Sequence, residues 1–328
     1  MLRTGTARIL SKSSYLCGGL KIRNAMRGRR LYAQTTALGI DSSVENNMQT
    51  ETNRVSKTMQ KFWNKVSIDE TGNEITLKLD NKPVRTPLGN NLTIPRDRRL
   101  LGLALEHEWS NLASLSIKPH SLPVTSLVSR CIDLEYASKP NADAEVAAKI
   151  GADREEISRT LLRYLDTDTL LCFSPKSEFE GTLRAAQNKL YLPLIKAAET
   201  FLSSVANKPI TIQILDADLH GLRGNAQSED TREAALKYLR SLSVWDLAVF
   251  EKTVLTAKSF ICGLLLLQNK AGTPSPDLSF TMENLAHCAT LETVYQIERW
   301  GEVEDTHDVD YRDIRRNINA AAIVAYRD

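Results

Sequence analysis

The chain has 328 residues, 42% of them hydrophobic and 25% charged, with 42 Lys and Arg against 40 Asp and Glu. That length can bury one large core or two modest ones; the longest apolar run, Ile261 to Leu267, falls far short of the roughly 20 residues of a membrane-spanning helix. The cysteines at 17, 131, 172, 262 and 288 contain no CxxC pair, which argues against a disulfide framework or a zinc site and suits a reducing compartment.

The first forty residues hold eight basic residues (Arg3, Arg8, Lys12, Lys21, Arg23, Arg27, Arg29 and Arg30) and no acid before Asp41. An Arg-rich, Ser-rich, acid-free start is the pattern of an organelle transit peptide. Arg30-Leu31-Tyr32-Ala33 looks like a mitochondrial processing site cut after Tyr32, so residues 1–32 are expected to be a transit peptide and 33–60 a polar, disordered linker. The alternative is a basic arm that binds nucleic acid. Taking those eight from the 42 basic residues leaves 34 against 40 acids, and the net charge moves from +2 to −6. A mildly acidic protein gives no electrostatic reason to expect DNA, RNA or an anionic membrane as partner.

Order is expected from Phe62 and Trp63 onward. Val66, Ile68, Ile75, Leu77 and Leu79 alternate with polar neighbours, the period of half-buried strands. Turns are expected at Asp69 to Asn73, Asp80 to Pro83 and Thr86 to Asn91, before a strand at Leu92 to Ile94. A helix opening at Pro95-Arg96-Asp97 presents Leu100, Leu101, Leu103, Ala104, Leu105, Trp109 and Leu112 as a broad apolar face. Lys118 to Pro123 is an extended connector, Thr125 to Tyr136 a helix, and Lys139 to Asp143 a break. Further helices are expected at Asp153 to Tyr164, Gly181 to Val205, Ser228 to Ser241, Val244 to Leu267, Thr281 to Trp300 and Arg312 to Tyr326, with a lone strand at Ile210 to Ile214. The fold class is therefore α+β: a small antiparallel β-rich N-terminal domain with one or two helices (61–150), then a larger mainly α-helical C-terminal domain (151–328).

Motifs that carry chemistry are scarce. GxxxxGK[ST], GxGxxG and GxSxG are missing from the sequence. His107-Glu108 begins like a zinc-protease helix, but Asn111 stands where the second histidine is required, and no metal ligand set is expected. Asp166 to Phe173 reads as a helix stop in which Asp166 or Thr167 caps the next segment while Leu170, Leu171 and Phe173 enter the core. Its paired aspartates make only a weak metal site. From Thr290 to Glu302, Glu292, Gln296 and Trp300 lie four apart on one helical stripe, with Leu291, Val294, Tyr295 and Ile297 turned to neighbouring faces. That is either an ordinary amphipathic helix with Glu292 solvated or bonded to Gln296, or a protein-binding surface with a Trp anchor.

Several stretches together carry a resemblance: Phe62-Trp63, Lys82 to Pro87, Glu108-Trp109, Lys118 to Thr125, Arg163-Tyr164 through Leu170-Leu171-Cys172, and Glu292 to Gly301. Spanning about 62 to 305, they resemble the family of mitochondrial assembly chaperones that bind the alpha subunit of the catalytic head of ATP synthase (the assembly factor 2 family). Departures are Leu112, where the family often has Gln, and Phe173-Ser174, where it often has Tyr-Arg. The resemblance implies a matrix protein, monomeric when free, with no catalytic residue, no cofactor, no metal and no membrane insertion. It implies binding of the unassembled alpha subunit until the beta subunit replaces it. The acid important in the family falls on Glu292, which Gln296 and Trp300 are expected to assist as partner-binding residues. Trp109 and Trp63 are expected to be structural. The competing classes are a matrix enzyme using Asp166, Asp168 and Glu292, and a constitutive subunit of the synthase.

Overall fold

Four short strands come first along the chain: β1 (Val66–Thr71), β2 (Glu74–Leu79), β3 (Lys82–Pro83) and β4 (Thr93–Pro95). The computed structural model describes residues 61–112, 121–221, 224–270, 280–303 and 307–327. The transit-peptide and linker expectations, and residues 118–120 of the connector, lie outside the described residues. β2 is central; β1 pairs antiparallel along one edge, from Val66↔Leu79 to Thr71↔Glu74, and β3 and β4 share the other edge. The alternation that predicts the sheet also orients it, because Ile75, Leu77 and Leu79 are all buried on one face. The two-residue turn Asp80-Asn81 takes φ of 47° and 74°, the left-handed pair that a tight hairpin between right-twisted strands requires.

A 3-10 turn (Arg96–Arg98) leads into α1 (Arg99–Ser110), which lays Leu101, Leu105 and Trp109 in the core. Gly102 allows this close approach, since a Cβ there would stand 3.2 Å from Ile75 Cγ2. The apolar face is narrower than expected: Leu100 and Leu103 are exposed. α2 (Pro123–Ala137) follows with proline at its first turn, where a missing N–H costs nothing. A short α3 (Ala144–Lys149), capped by Asp143, comes just after the expected break. The expected boundary near residue 150 falls between α3 and α4 (Arg154–Asp166).

The remainder comprises β5 (Cys172–Phe173), α5 (Thr182–Ala206), β6 (Leu215–Asp216), α6 (Ala217–His220), α7 (Glu229–Ser241), α8 (Val244–Ala257), α9 (Phe260–Lys270), α10 (Met282–Ala289), α11 (Leu291–Trp300) and α12 (His307–Ala325). Three expectations need correction. Val244 to Leu267 is not one helix: Lys258 adopts φ 53°, Ser259 Oγ accepts from Cys262 N–H at 3.0 Å, and α9 starts anew. Thr281 to Trp300 bends at Thr290, whose hydroxyl donates back to the Ala286 carbonyl at 3.0 Å. Ile210 to Ile214 is not a strand. Its backbone groups are taken by side chains: Ile210 N–H by Ser203 Oγ, Ile212 N–H by Glu199 and Gln213 N–H by Gln227. Satisfied that way, the segment needs no strand partner. The second sheet is instead the two-residue parallel pair β5–β6, joined through α5.

The described residues fall within one compact unit that runs from Asp41 to Asp328, and nearly all their buried apolar side chains form one hydrophobic cluster. α12 packs on α2, α8 and α10, while α5 packs on α7. Buried polar links fasten the sheet region to the helices and the helices to one another. Asp133 of α2 accepts from Thr86 Oγ1 (2.5 Å), Asn90 Nδ2 (2.8 Å) and Leu88 N–H (3.3 Å) at the third turn. Arg130 of α2 makes a bidentate pair with Glu251 of α8, both N–O distances 3.1 Å and both side chains buried.

Candidate functional site

α11 is the most peripheral of the long C-terminal helices. Leu291 is its one buried residue; Val294, Tyr295 and Ile297 are half-buried, and Glu292, Glu298, Arg299 and Trp300 are exposed. The helix is amphipathic but shallow, so the apolar residues on the faces beside the stripe are covered only in part. Gly301 ends it at φ 88° and ψ 160°, a positive-φ extended conformation open essentially to glycine alone.

The stripe is present as a surface. Gln296 Nε2 donates to Glu292 Oε1 at 3.0 Å, one helical turn apart, which orients the carboxylate while leaving it in solvent. Trp300 is 70% exposed, although its ring lies 5.5 Å from that of Phe179. The Arg299 guanidinium sits 5.3 Å from the Phe179 ring and 6.0 Å from the Trp300 ring. Tyr295 meets Phe179 edge-on at 5.8 Å, and its hydroxyl donates to the Thr182 carbonyl at 3.4 Å. Phe179 was not legible in the sequence as part of this surface. Its signal, an aromatic between Glu178 and Glu180 just before Gly181, reads as an ordinary turn.

Trp109 and Trp63 belong to another place. Both are 3% exposed, their rings are 5.2 Å apart, and Trp109 Nε1 donates to Thr125 Oγ1 at 2.8 Å. The adjacent Glu108 caps α2, accepting from Val124 N–H and Thr125 N–H, each at 2.8 Å, and from Thr125 Oγ1 at 2.6 Å. Burial raises the Glu108 carboxyl above its ordinary pKa, against the pull of those hydrogen bonds. The Glu-Trp pair thus clips α1 to the start of α2. Asn111, in the slot of the missing zinc ligand, bonds the His107 ring at 3.0 Å.

The three carboxylates of the enzyme alternative have separate tasks. Asp166 accepts from Gln227 N–H at 2.9 Å and pairs with Arg232 at 2.6 Å. Asp168 is the cap of the following segment, in place of the expected Asp166 or Thr167: it accepts from Leu170 N–H and, across the fold, from Ile261 N–H, each at 2.9 Å. Full burial pushes its pKa up to about 6. Leu170, Leu171 and Phe173 are buried as expected. Glu292 remains at the surface with Gln296. Among the described residues, no group of three or more His, Cys, Asp or Glu is placed to hold a metal ion, and no helix is long and apolar enough to cross a membrane.

Comparison with known proteins adds the lineage. The ATP12 chaperone protein family matches residues 60–199. The chain is 58% identical over 295 residues to Protein ATP12, mitochondrial, of Saccharomyces cerevisiae, covering 88% of this chain and 91% of that protein. It is 32% identical over 268 residues to the Schizosaccharomyces pombe protein of the same name, with 82% of each covered. Among solved structures, Atp12 of Paracoccus denitrificans superposes with a TM-score of 0.57 at 21% identity, covering 82% of this chain and 99% of that one. The Atu1473 protein of Agrobacterium tumefaciens does so at 0.59 and 22% identity, covering 86% and 95%. At that identity the bacterial structures speak for the fold alone.

Proposed function

The chain belongs to the ATP12 chaperone family, and on that premise we propose that it binds the unassembled alpha subunit of mitochondrial ATP synthase through α11 and promotes assembly of the catalytic alpha/beta hexamer. Its relatives carry chaperone and mitochondrial names; the alpha subunit, the matrix compartment, the transit peptide, the monomeric state and the lack of a catalytic role belong to this proposal. An alpha subunit without its beta neighbour exposes a large apolar interface, and such a surface aggregates unless covered. Covering it takes a complementary face and no bond-making chemistry.

The observation that supports this reading best is the stripe of exposed Glu292, half-buried Gln296 and exposed Trp300 on a helix that buries only Leu291. A carboxylate held by a neighbouring amide, two helical turns from a solvent-facing Trp, is the residue combination of an interface. The test is a pull-down of the full chain with separately produced alpha and beta subunits, wild type beside Glu292→Lys. Retention of alpha alone is expected, with loss in a variant whose circular dichroism is unchanged, because Glu292 is exposed. Retention of neither subunit by the wild type sinks the proposal. Unfolding of Glu292→Lys moves that residue from partner binding to structure.

A further inference from the structure

Resting on that reading, we propose that the partner-binding surface is a composite platform, in which the turn before α5 and the end of α11 together receive a segment of the alpha subunit bearing an apolar side chain flanked by Lys or Arg. Three observations on different residues meet here. The first is backbone: Phe179 (φ 47°, ψ 35°), Glu180 (φ 55°, ψ 26°) and Gly181 (φ 78°, ψ −1°) are successive left-handed residues. Two of the three carry a Cβ, so this conformation is unfavourable unless its surroundings hold it. What holds it is the second observation. The Phe179 ring is engaged at once by Tyr295, Trp300 and the Arg299 guanidinium, and the Tyr295 hydroxyl donates to the Thr182 carbonyl just beyond the turn. The strained turn therefore aims an aromatic at α11, and α11 answers with two aromatics and a cation.

Such a cluster, anchored on one side, leaves Trp300 70% exposed on the other. A rigid ring on a fixed support loses little conformational freedom on binding, which is what an anchor residue requires.

Charge chooses the occupant. Across 176–182 and 291–303 the acids are Glu178, Glu180, Glu292, Glu298 and Glu302, every one exposed, and the bases are Lys176 and Arg299. Five acids against two bases leave the two segments at −3, and the Arg299 charge already faces the rings. An aromatic cluster carried by two acidic segments fits an apolar side chain with basic neighbours, and disfavours an acidic segment.

The experiment is equilibrium binding of the separately produced alpha subunit to the immobilised full chain, at low and at high salt. The variants are Trp300→Ala, Phe179→Ala, Glu292→Lys and the triple substitution of Glu178, Glu298 and Glu302 by Gln. Trp300→Ala should weaken binding by about tenfold or more, as loss of an interface anchor does, with the melting temperature lowered only slightly, because the ring is mostly in solvent and Tyr295 and Arg299 still hold Phe179. Phe179→Ala should weaken binding similarly, and the triple variant should flatten the loss of affinity with salt. Should Phe179→Ala also melt early, Trp300→Ala and the triple variant carry the test by themselves. Trp300→Ala within about twofold of wild type, with salt dependence intact in the triple variant and Glu292→Lys unable to bind, would overturn the platform and leave the chaperone reading standing. A wild type that binds no alpha subunit refutes that reading and the platform with it.

Discussion

Replacing Trp109 by Arg would set a cation where the indole now packs against Trp63 and donates to Thr125. The loss combines a cavity, a buried charge and a loosened clip between α1 and α2, and should destabilise the fold by more than about 3 kcal/mol. Urea unfolding or soluble yield reads it, and a stable but inactive variant would contradict the structural role proposed for Trp109. Asp168 makes a pH-dependent prediction. Its pKa in the folded protein, about 6, lies above the ordinary 3.8, so the folded state binds the proton more tightly than the unfolded chain does. Stability from this group is therefore greatest below 3.8, falls as pH rises through that window, and is lost above about 6, a change of about 3 kcal/mol. Wild type and Asp168→Asn should show a stability difference that shifts against the wild type between pH 4 and pH 6.5 and then levels off. The lost acceptor at Ile261 N–H adds an offset independent of pH. A difference that does not vary with pH would show that Asp168 keeps an ordinary pKa. The residue types were legible here, but which aspartate caps was not, because the choice depends on Ile261, 93 residues away.

At the scale of elements, periodicity located most helices within a residue or two: Asp153 to Tyr164 became Arg154–Asp166, and Ser228 to Ser241 became Glu229–Ser241. It failed where a helix is interrupted without a sequence breaker. No Gly or Pro marks the end of α8; Lys258 turns left-handed because Thr169 N–H and Thr169 Oγ1 both donate to its carbonyl at 3.1 Å, holding the chain in the bend. That bend lets α9 fold back on α8 at close range, and Gly263 is the contact point. A Cβ there would lie 2.8 Å from Val254 Cγ2 and 3.0 Å from Phe250 Cε2. Gly263→Ala should therefore destabilise the protein by about 1–3 kcal/mol through overpacking, even though alanine is the better helix former. Thermal melting is the measurement, and a raised melting temperature would show that helix propensity outweighs the contact. α11 illustrates the opposite case: its stripe was plain in the sequence, but the turn that faces it, 113 residues earlier by the Tyr295–Thr182 bond, was not.

For the whole molecule, the links between sheet region and helices decide how it folds. Arg98, just before α1, donates to the Val324 carbonyl of α12 and stacks 4.6 Å from the Trp245 ring of α8. With Arg130–Glu251 it joins the part before residue 150 to the part after it through buried charged groups that cannot be left without partners. A fragment of residues 61–150 should accordingly fail to fold alone, whereas a described region sharing one core should unfold in one transition. A cooperative melt of that fragment would instead make the two parts independent domains. The sequence by itself determined the fold class, the order of most elements, the family resemblance and the stripe on α11, because alternation, helical period and local motif are properties of neighbouring residues. The tertiary structure alone decided where helices break, which carboxylates are caps, and that Phe179 stands against Tyr295 and Trp300. Those outcomes rest on contacts between residues far apart in the chain, and no local pattern encodes which distant partner a side chain will meet.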